Sequence, residues 1–80
     1  MVEHIPGFPR FTLEPGKMGG QACVRGYRFG LQQLLDMIDN GLSPERIMEK
    51  FSFLEREDID DAIRYAIHEA KSSYYVNLSA

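Results

Sequence analysis

Two arginines, Arg25 and Arg28, are the side chains whose type and spacing point most directly to binding chemistry in this sequence. They flank Gly26 and Tyr27 in a run rich in β-branched and aromatic residues, which is typical of a strand. Side chains three positions apart on a strand point to opposite faces of the sheet. We therefore expect one guanidinium to meet a carboxylate within the fold or a dimer, and the other to be free for a partner.

Catalytic chemistry is not indicated by the residue pattern. Cys23 has no base near it in the sequence, so we interpret it as a small buried apolar residue. His4 and His68 are interpreted as solvated surface side chains. No pair of titratable groups is set apart for acid–base work. We expect no enzyme activity and no catalytic residue.

Metal and nucleotide sites are not indicated either. A group of carboxylates opens the last predicted helix without the glycine-broken loop of a calcium site, and we interpret it as a solvated helix start that complements the helix dipole. These carboxylates are Glu55, Glu57, Asp58, Asp60 and Asp61. The double glycine Gly19-Gly20 lacks the Lys-Ser/Thr and helix that follow a phosphate loop, so we interpret it as a tight reversal between strands. We expect no metal and no cofactor.

Charge is unevenly distributed along the chain. The 9 Lys and Arg residues and 12 Asp and Glu residues give a net charge of −3. Residues 1–30 carry four basic and two acidic side chains, a net charge of +2, whereas residues 31–80 carry five and ten, a net charge of −5. We therefore expect any contact with a duplex DNA backbone to be weak and to come from the first part of the chain. The candidate residues are Arg10, Lys17, Arg25 and Arg28.

The first part of the chain is predicted to be loop and strand, because most glycines and prolines are concentrated there. Residues 11–13 and 23–29 have the composition of two short strands, with Pro-Gly and Gly-Gly turns between them. Residues 1–10 are interpreted as a flexible N-terminal segment.

Three helices are predicted after residue 30. The first has apolar residues at helical spacing and ends at Asn40-Gly41. Those apolar residues are Leu31, Leu34, Leu35 and Ile38. The second helix is capped by Ser43, has Pro44 at its first position and ends near Phe51.

The third helix is predicted from Glu55 or Arg56 to about Ser72. Its apolar stripe consists of Ile59, Ala62, Ile63, Ala66, Ile67 and Ala70. Because a chain this short has a small core, and because small side chains let another element approach closely, we expect a homodimer. The predicted interface comprises Ala62, Ala66, Ala70, Tyr74 and Tyr75. The two tyrosines belong to residues 73–80, which we interpret as a C-terminal tail.

These elements predict a mainly α fold, with a three-helix helix-turn-helix-like core preceded by a short β-hairpin or strand arm. Residues 11–72 are expected to form a single domain. No stretch is apolar enough over a sufficient length to span a bilayer, and no signal-peptide pattern opens the chain. We expect a cytoplasmic protein without membrane contact.

Several short stretches carry a resemblance to a known family. They are Pro15 with Gly19-Gly20, Cys23-Val24-Arg25-Gly26 with Arg28-Phe29, and Gly41-Leu42-Ser43-Pro44-Glu45 with Asp58-Ile59. Over roughly residues 11–70 the sequence is similar to the small bacterial family DUF433, a domain of unknown function. Its members typically carry Gly-Gly-Lys-Pro-Cys-Ile-Arg-Gly-Thr-Arg-Ile, then Gly-x-Ser-x-Glu-Glu-Ile and Leu-Thr-x-Glu-Asp-Ile. This sequence departs from that pattern at Gln21, Ala22, Tyr27, Gly30 and Glu55.

The resemblance implies a helix-turn-helix-like domain, often dimeric, that in some members is the antitoxin paired with a PIN-like ribonuclease toxin. Such a nuclease gathers carboxylates around magnesium, so an inhibitor needs a cation, and the planar fork of arginine matches carboxylates. The partner-binding candidates are Arg25, Arg28, Tyr27 and Gly26. We expect Arg25 in the partner contact and Arg28, next to the first helix, in a salt bridge inside the dimer. The alternative is a helix-turn-helix DNA-binding transcriptional regulator without a toxin partner.

Overall fold

Three antiparallel strands come first in the chain and three helices follow them. The computed structural model describes residues 2–79, with side chains described for residues 2–72. The strands are β1 (Glu3–Ile5), β2 (Phe8–Leu13) and β3 (Cys23–Val24), and β2 lies in the middle of the sheet. A 3-10 turn over Met18–Gly20 leads into β3.

The sheet differs from the predicted hairpin or strand arm at both ends. Residues 1–10, predicted as a flexible segment, contain β1 and the start of β2, and Glu3 pairs with Leu13 across the sheet. Most of β1 is exposed, so its sequence lacks the alternation that marks a half-buried strand. The predicted strand over residues 23–29 ends at Val24, because the chain turns there and Tyr27 N–H donates to the carbonyl of Val24 at 2.9 Å.

The first two helices form where the sequence predicts them, α1 over Leu31–Asp39 and α2 over Pro44–Lys50. The Ser43 hydroxyl accepts the Arg46 N–H at 3.2 Å and so satisfies one free amide of the first turn of α2. Gly41 has φ +88°, the left-handed conformation that closes a helix without a Cβ clash. Local chemistry therefore fixes both ends of the link between α1 and α2.

The third helix, α3, runs over Arg56–Ser79 and is longer than predicted. It continues through residues 73–79, where the sequence predicted a tail; the side chains of Tyr74 and Tyr75 lie outside those that the structure describes. Ala62, predicted in a dimer interface, is fully buried in the core of its own chain. Ala66 is half-buried and Ala70 is exposed.

The core lies between the sheet and the three helices. Phe11 and Val24 on the sheet, Leu34 on α1 and Ile47 on α2 are completely buried, and Ile59 joins them from α3. Phe8, Phe29 and Leu54 complete the inner layer. The core therefore joins β2 and β3 to the start of α3, which sets the positions of the side chains described next.

Candidate partner-binding site

A buried carboxylate, Asp58, joins the sheet to the first turn of α3. Its side chain is 0 % exposed, and Arg25 approaches it in a bidentate fork, with Nε 3.0 Å from Oδ1 and Nη2 2.9 Å from Oδ2. The same Nη2 donates to the carbonyl of Phe53 at 2.7 Å. A fork of this kind is directional as well as strong, so Arg25 is fixed to the helix start.

Arg10 on β2 is the second cation at this carboxylate. Its Nη1 lies 2.9 Å from Oδ1 of Asp58 and 2.8 Å from Oε1 of Glu55. Asp58 also accepts the backbone N–H of Glu55 at 2.8 Å, which is the return half of a capping box, since Asp58 stands three residues after that amide. One carboxylate therefore caps α3 and binds two arginines, Arg10 on β2 and Arg25 in the turn after β3.

The electrostatics of this cluster favour its charged form. Burial alone raises the pKa of Asp58, but the hydrogen bonds from Arg25, from the Glu55 amide and from Arg10 outweigh it, so the pKa lies below its ordinary value. The hydrogen bond to Asp58 correspondingly raises the pKa of Arg25. The hydrogen bonds to Glu55 and Asp58 raise the pKa of Arg10. All three groups stay charged at neutral pH.

The turn that follows Val24 has an unusual backbone for a non-glycine residue. Arg25 has φ +45° and Gly26 has φ +78°, and with the Tyr27 to Val24 hydrogen bond they form a type I′ turn. Left-handed conformation costs a residue with a Cβ about 1–2 kcal/mol. The surrounding contacts hold Arg25 there.

Two side chains from neighbouring elements pin this turn. The Gly26 N–H donates to Thr12 Oγ1 at 2.9 Å, and Lys17 Nζ donates to the Gly26 carbonyl at 2.6 Å. Lys17 also pairs with Glu14 at 3.1 Å. The turn is thus fixed from three directions, by β2, by the segment before the 3-10 turn and by α3.

The outer surface of the turn displays an aromatic ring and a cation, which we call the Tyr27–Arg28 corner. Tyr27 is 44 % exposed, and its ring packs 4.5 Å from that of Phe53. Arg28 is exposed and makes no ion pair with any side chain described over residues 2–72. The corner therefore offers one guanidinium beside one partly supported ring.

The structure separates the residues that the sequence grouped as partner or DNA contacts. One arginine of the Arg25 and Arg28 pair meets a carboxylate and the other is exposed, as expected, but their roles are exchanged: Arg25 is held inside the fold and Arg28 is the exposed one. Arg10 and Lys17 are also engaged with carboxylates of the same chain. The signal that sequence reasoning missed is Asp58, whose spacing from Glu55 fits a capping box.

Other residues singled out in the sequence lie apart from this corner. Cys23 is buried, with its Sγ 3.8 Å from the sulfur of Met18. The ring of His68 lies 6.2 Å from that of Phe8. Across the described part of the chain, no cluster of three or more His, Cys, Asp or Glu side chains is placed to bind a metal ion. No helix within residues 2–79 has the length and apolarity needed to cross a membrane.

Comparison with known proteins gives two matches. The family model described as a protein of unknown function, DUF433, matches residues 12–66. A crystal structure of a DUF433 member protein from Anabaena variabilis superimposes with a TM-score of 0.68 at 24 % sequence identity, over 79 % of this chain and 62 % of that one. At this identity the match shows a shared fold, and this chain spans less than two thirds of that protein's length. No curated protein matches the sequence.

Proposed function

The chain belongs to the DUF433 family, and on that premise we propose that it is a non-catalytic binding protein that acts as a type II antitoxin against a PIN-like ribonuclease. The observation that carries the proposal is the Tyr27–Arg28 corner, where an exposed arginine stands on a turn fixed from three directions. The resemblance of the sequence to family members with an antitoxin role supplies the class of partner.

An exposed arginine that directly follows a fixed turn suits the inhibition of a metal-dependent nuclease. Such a nuclease concentrates carboxylates around its magnesium ion, and a guanidinium can pair with them in a planar fork. Arg25 is engaged with Asp58 and Phe53, so Arg28 is the candidate for this contact. Tyr27 adds an amphipathic ring of the kind that is enriched at protein interfaces.

A nuclease assay with the product of the neighbouring gene tests the proposal. We expect the unaltered chain to inhibit the nuclease and Arg28→Ala to weaken inhibition at least tenfold, with an unchanged melting temperature. Arg46→Ala is the matched control, because Arg46 is also an exposed arginine and, among the side chains of residues 2–72, pairs only with Glu49, at 3.7 Å. Full inhibition by Arg28→Ala would remove this arginine from the mechanism, and the absence of inhibition by the unaltered chain would overturn the antitoxin proposal.

A DNA-binding regulator without a toxin partner is the second candidate, and one observation favours it. The carboxylates at the start of α3 are largely paired within the chain, Glu55 with Arg10 at 2.8 Å and Asp60 with Arg56 at 3.4 Å. Pairing reduces the electrostatic cost of placing the first turn of α3 near phosphates, and the regulator proposal takes α3 as the second helix of a helix-turn-helix. An antitoxin of this kind can also regulate its own operon, so the two functions are compatible.

A mobility-shift assay on the DNA upstream of the gene separates the two candidates. We expect weak binding that Arg28→Ala reduces further, because the other three cations of residues 1–30 are paired within the chain. Loss of the shift with Arg64→Ala alone would instead place the contact on α3, since Arg64 is an exposed cation of that helix. Specific DNA binding without any inhibition of the nuclease would favour the regulator.

A further inference from the structure

An apolar groove runs between α1 and the middle of α3, on the side of the molecule formed by these two helices. Leu35 and Ile38 line it from α1, and Ile63, Ala66 and Ile67 line it from α3. Ile63 and Ile67 are 38 % and 52 % exposed, which makes them two of the exposed large hydrophobic side chains of the described residues. Such side chains gathered in one groove mark a site of association.

The part of α3 that follows Ala66 is uncovered over residues 67–72, the last ones whose side chains the structure describes. Every residue from 67 to 72 is exposed, although the helix continues to Ser79. A helical segment of about this length is marginal in water without packing against a partner. The groove and the exposed residues 67–72 of α3 are therefore expected to bind the same partner.

The spacing of the apolar residues on α3 indicates what makes that contact. Ile63, Ile67 and Ala70 are separated by four and then three residues, and the sequence continues the spacing at Tyr74. Alternation of four and three is the seam of two helices that wind around each other in either direction, and the charges beside the seam select the direction. Within this seam, Ala66 takes the flanking position nearest α1, and Arg64 and Lys71 take the flanking positions on the other side.

Charge is complementary when two such helices lie side by side. The α1 wall of the groove carries Asp36 and Asp39, while the opposite edge of α3 carries Arg64 and Lys71. In a parallel pair related by a two-fold axis along the helices, the basic edge of each copy faces the acidic wall of the other. The small side chain of Ala66 leaves room for a lysine to cross.

The geometry points to a second copy of this chain as the occupant of the groove, in a homodimer whose α3 helices pack in parallel. This interface uses Ile63, Ile67 and Ala70 and excludes Ala62, which the core of the single chain already buries. It is independent of the Tyr27–Arg28 corner, so its test does not depend on the proposed function.

Sedimentation equilibrium of the full chain tests the state of association. We expect a mass of twice the 9.2 kDa of one chain at tens of micromolar, and at least tenfold weaker association for Ile67→Glu. Val2→Glu is the matched control, because Val2 is an exposed apolar residue far from the groove in sequence, 57 % exposed, and its substitution leaves the dimer intact. A monomeric unaltered chain would overturn the proposal and assign the groove to another protein. A dimer that Ile67→Glu leaves unchanged would place the interface elsewhere.

Charge exchange and cross-linking test the arrangement of the two copies. Lys71→Glu is expected to weaken the dimer at least threefold, and adding Asp36→Lys and Asp39→Lys to restore it. Ala70→Cys is expected to form an intermolecular disulfide under mild oxidation, because seam positions meet their own copies in a parallel pair. Ser72→Cys, on the opposite face of α3, serves as the control. Failure of Ala70→Cys to cross-link in a chain that still dimerises would refute the parallel arrangement.

Discussion

Replacing Arg25 with alanine removes the larger part of the cation support of a carboxylate that water does not reach. Asp58 loses the Nε and Nη2 hydrogen bonds, at 3.0 and 2.9 Å, and the carbonyl of Phe53 loses its donor. Removing one partner of a buried ion pair costs about 3–5 kcal/mol, because the remaining charge is left without compensation. Arg10 and the Glu55 amide still bind Asp58, so we expect a loss of about 2–3 kcal/mol from the free energy of unfolding.

The reciprocal variant, Asp58→Ala, is expected to cost about 3–4 kcal/mol. It removes the pairing partner of both arginines and also the cap on the Glu55 amide, which is worth about 1 kcal/mol. Arg10 and Arg25 each retain some exposure, so they can turn toward water, which limits the loss. Both values are a large fraction of the total stability of a small domain, about 5–15 kcal/mol.

Urea unfolding followed by far-ultraviolet circular dichroism measures both variants at one fixed protein concentration. Arg46→Ala is the control, and as an exposed substitution it is expected to stay within about 0.5 kcal/mol of the unaltered chain. An Arg25→Ala variant within about 1 kcal/mol of the unaltered chain would refute the reasoning. That result would mean that Arg25 contributes no more to the free energy of unfolding than an exposed residue, as expected if it were free for a partner.

Two further predictions concern the same region. Because folding lowers the pKa of Asp58, the contribution of this carboxylate to the free energy of unfolding is complete above the ordinary carboxyl pKa of about 4 and is lost as the pH falls through the lower folded-state value. In urea titrations, the stability difference between the unaltered chain and Asp58→Asn should therefore shrink below about pH 4. A difference that stays constant with pH would contradict this. Gly26→Ala is expected to lose about 1–2 kcal/mol, since Gly26 has φ +78°. Among the described residues an added Cβ meets only Glu14, at 3.8 Å, so backbone strain rather than a clash is the cause. Thermal melting detects the loss, and an unchanged melting temperature would show that the turn tolerates a side chain.

The helices could be predicted from the sequence because their determinants are local. The hydroxyl of Ser43, the ring of Pro44 and the left-handed Gly41 each act within a few residues, so the bounds of α2 follow directly. The end of α3 was predicted wrongly, because Tyr74, Tyr75 and Val76 are residue types of low helix propensity although the helix continues through residues 73–79.

The sheet and the candidate site depend on contacts between distant parts of the chain. Arg25 and Asp58 are 33 residues apart, and no local rule couples an arginine in a turn to a carboxylate on a distant helix. The expectation that one arginine is held and one is exposed came from assuming a strand over residues 23–29. Which arginine is held depends on the type I′ turn at Arg25, and the positive φ of this turn could not be predicted because arginine rarely adopts it. The edge strand β1 was missed because strand pairing, rather than its own side chains, creates it.

The charge asymmetry of the sequence is neutralised largely inside the fold. Of the four cations among residues 1–30, Arg10 and Arg25 bind carboxylates at the start of α3, and Lys17 binds Glu14. Arg10 and Arg25 therefore join the sheet and the turn after it to the start of α3. Arg28 is the one of these four cations that makes no ion pair with a described side chain. A partner of the Tyr27–Arg28 corner meets a single guanidinium beside a ring, without an extended positive field. Long-range electrostatic steering depends on such a field. We therefore expect a slow association rate constant that changes little with salt, and specificity that comes from short-range contacts.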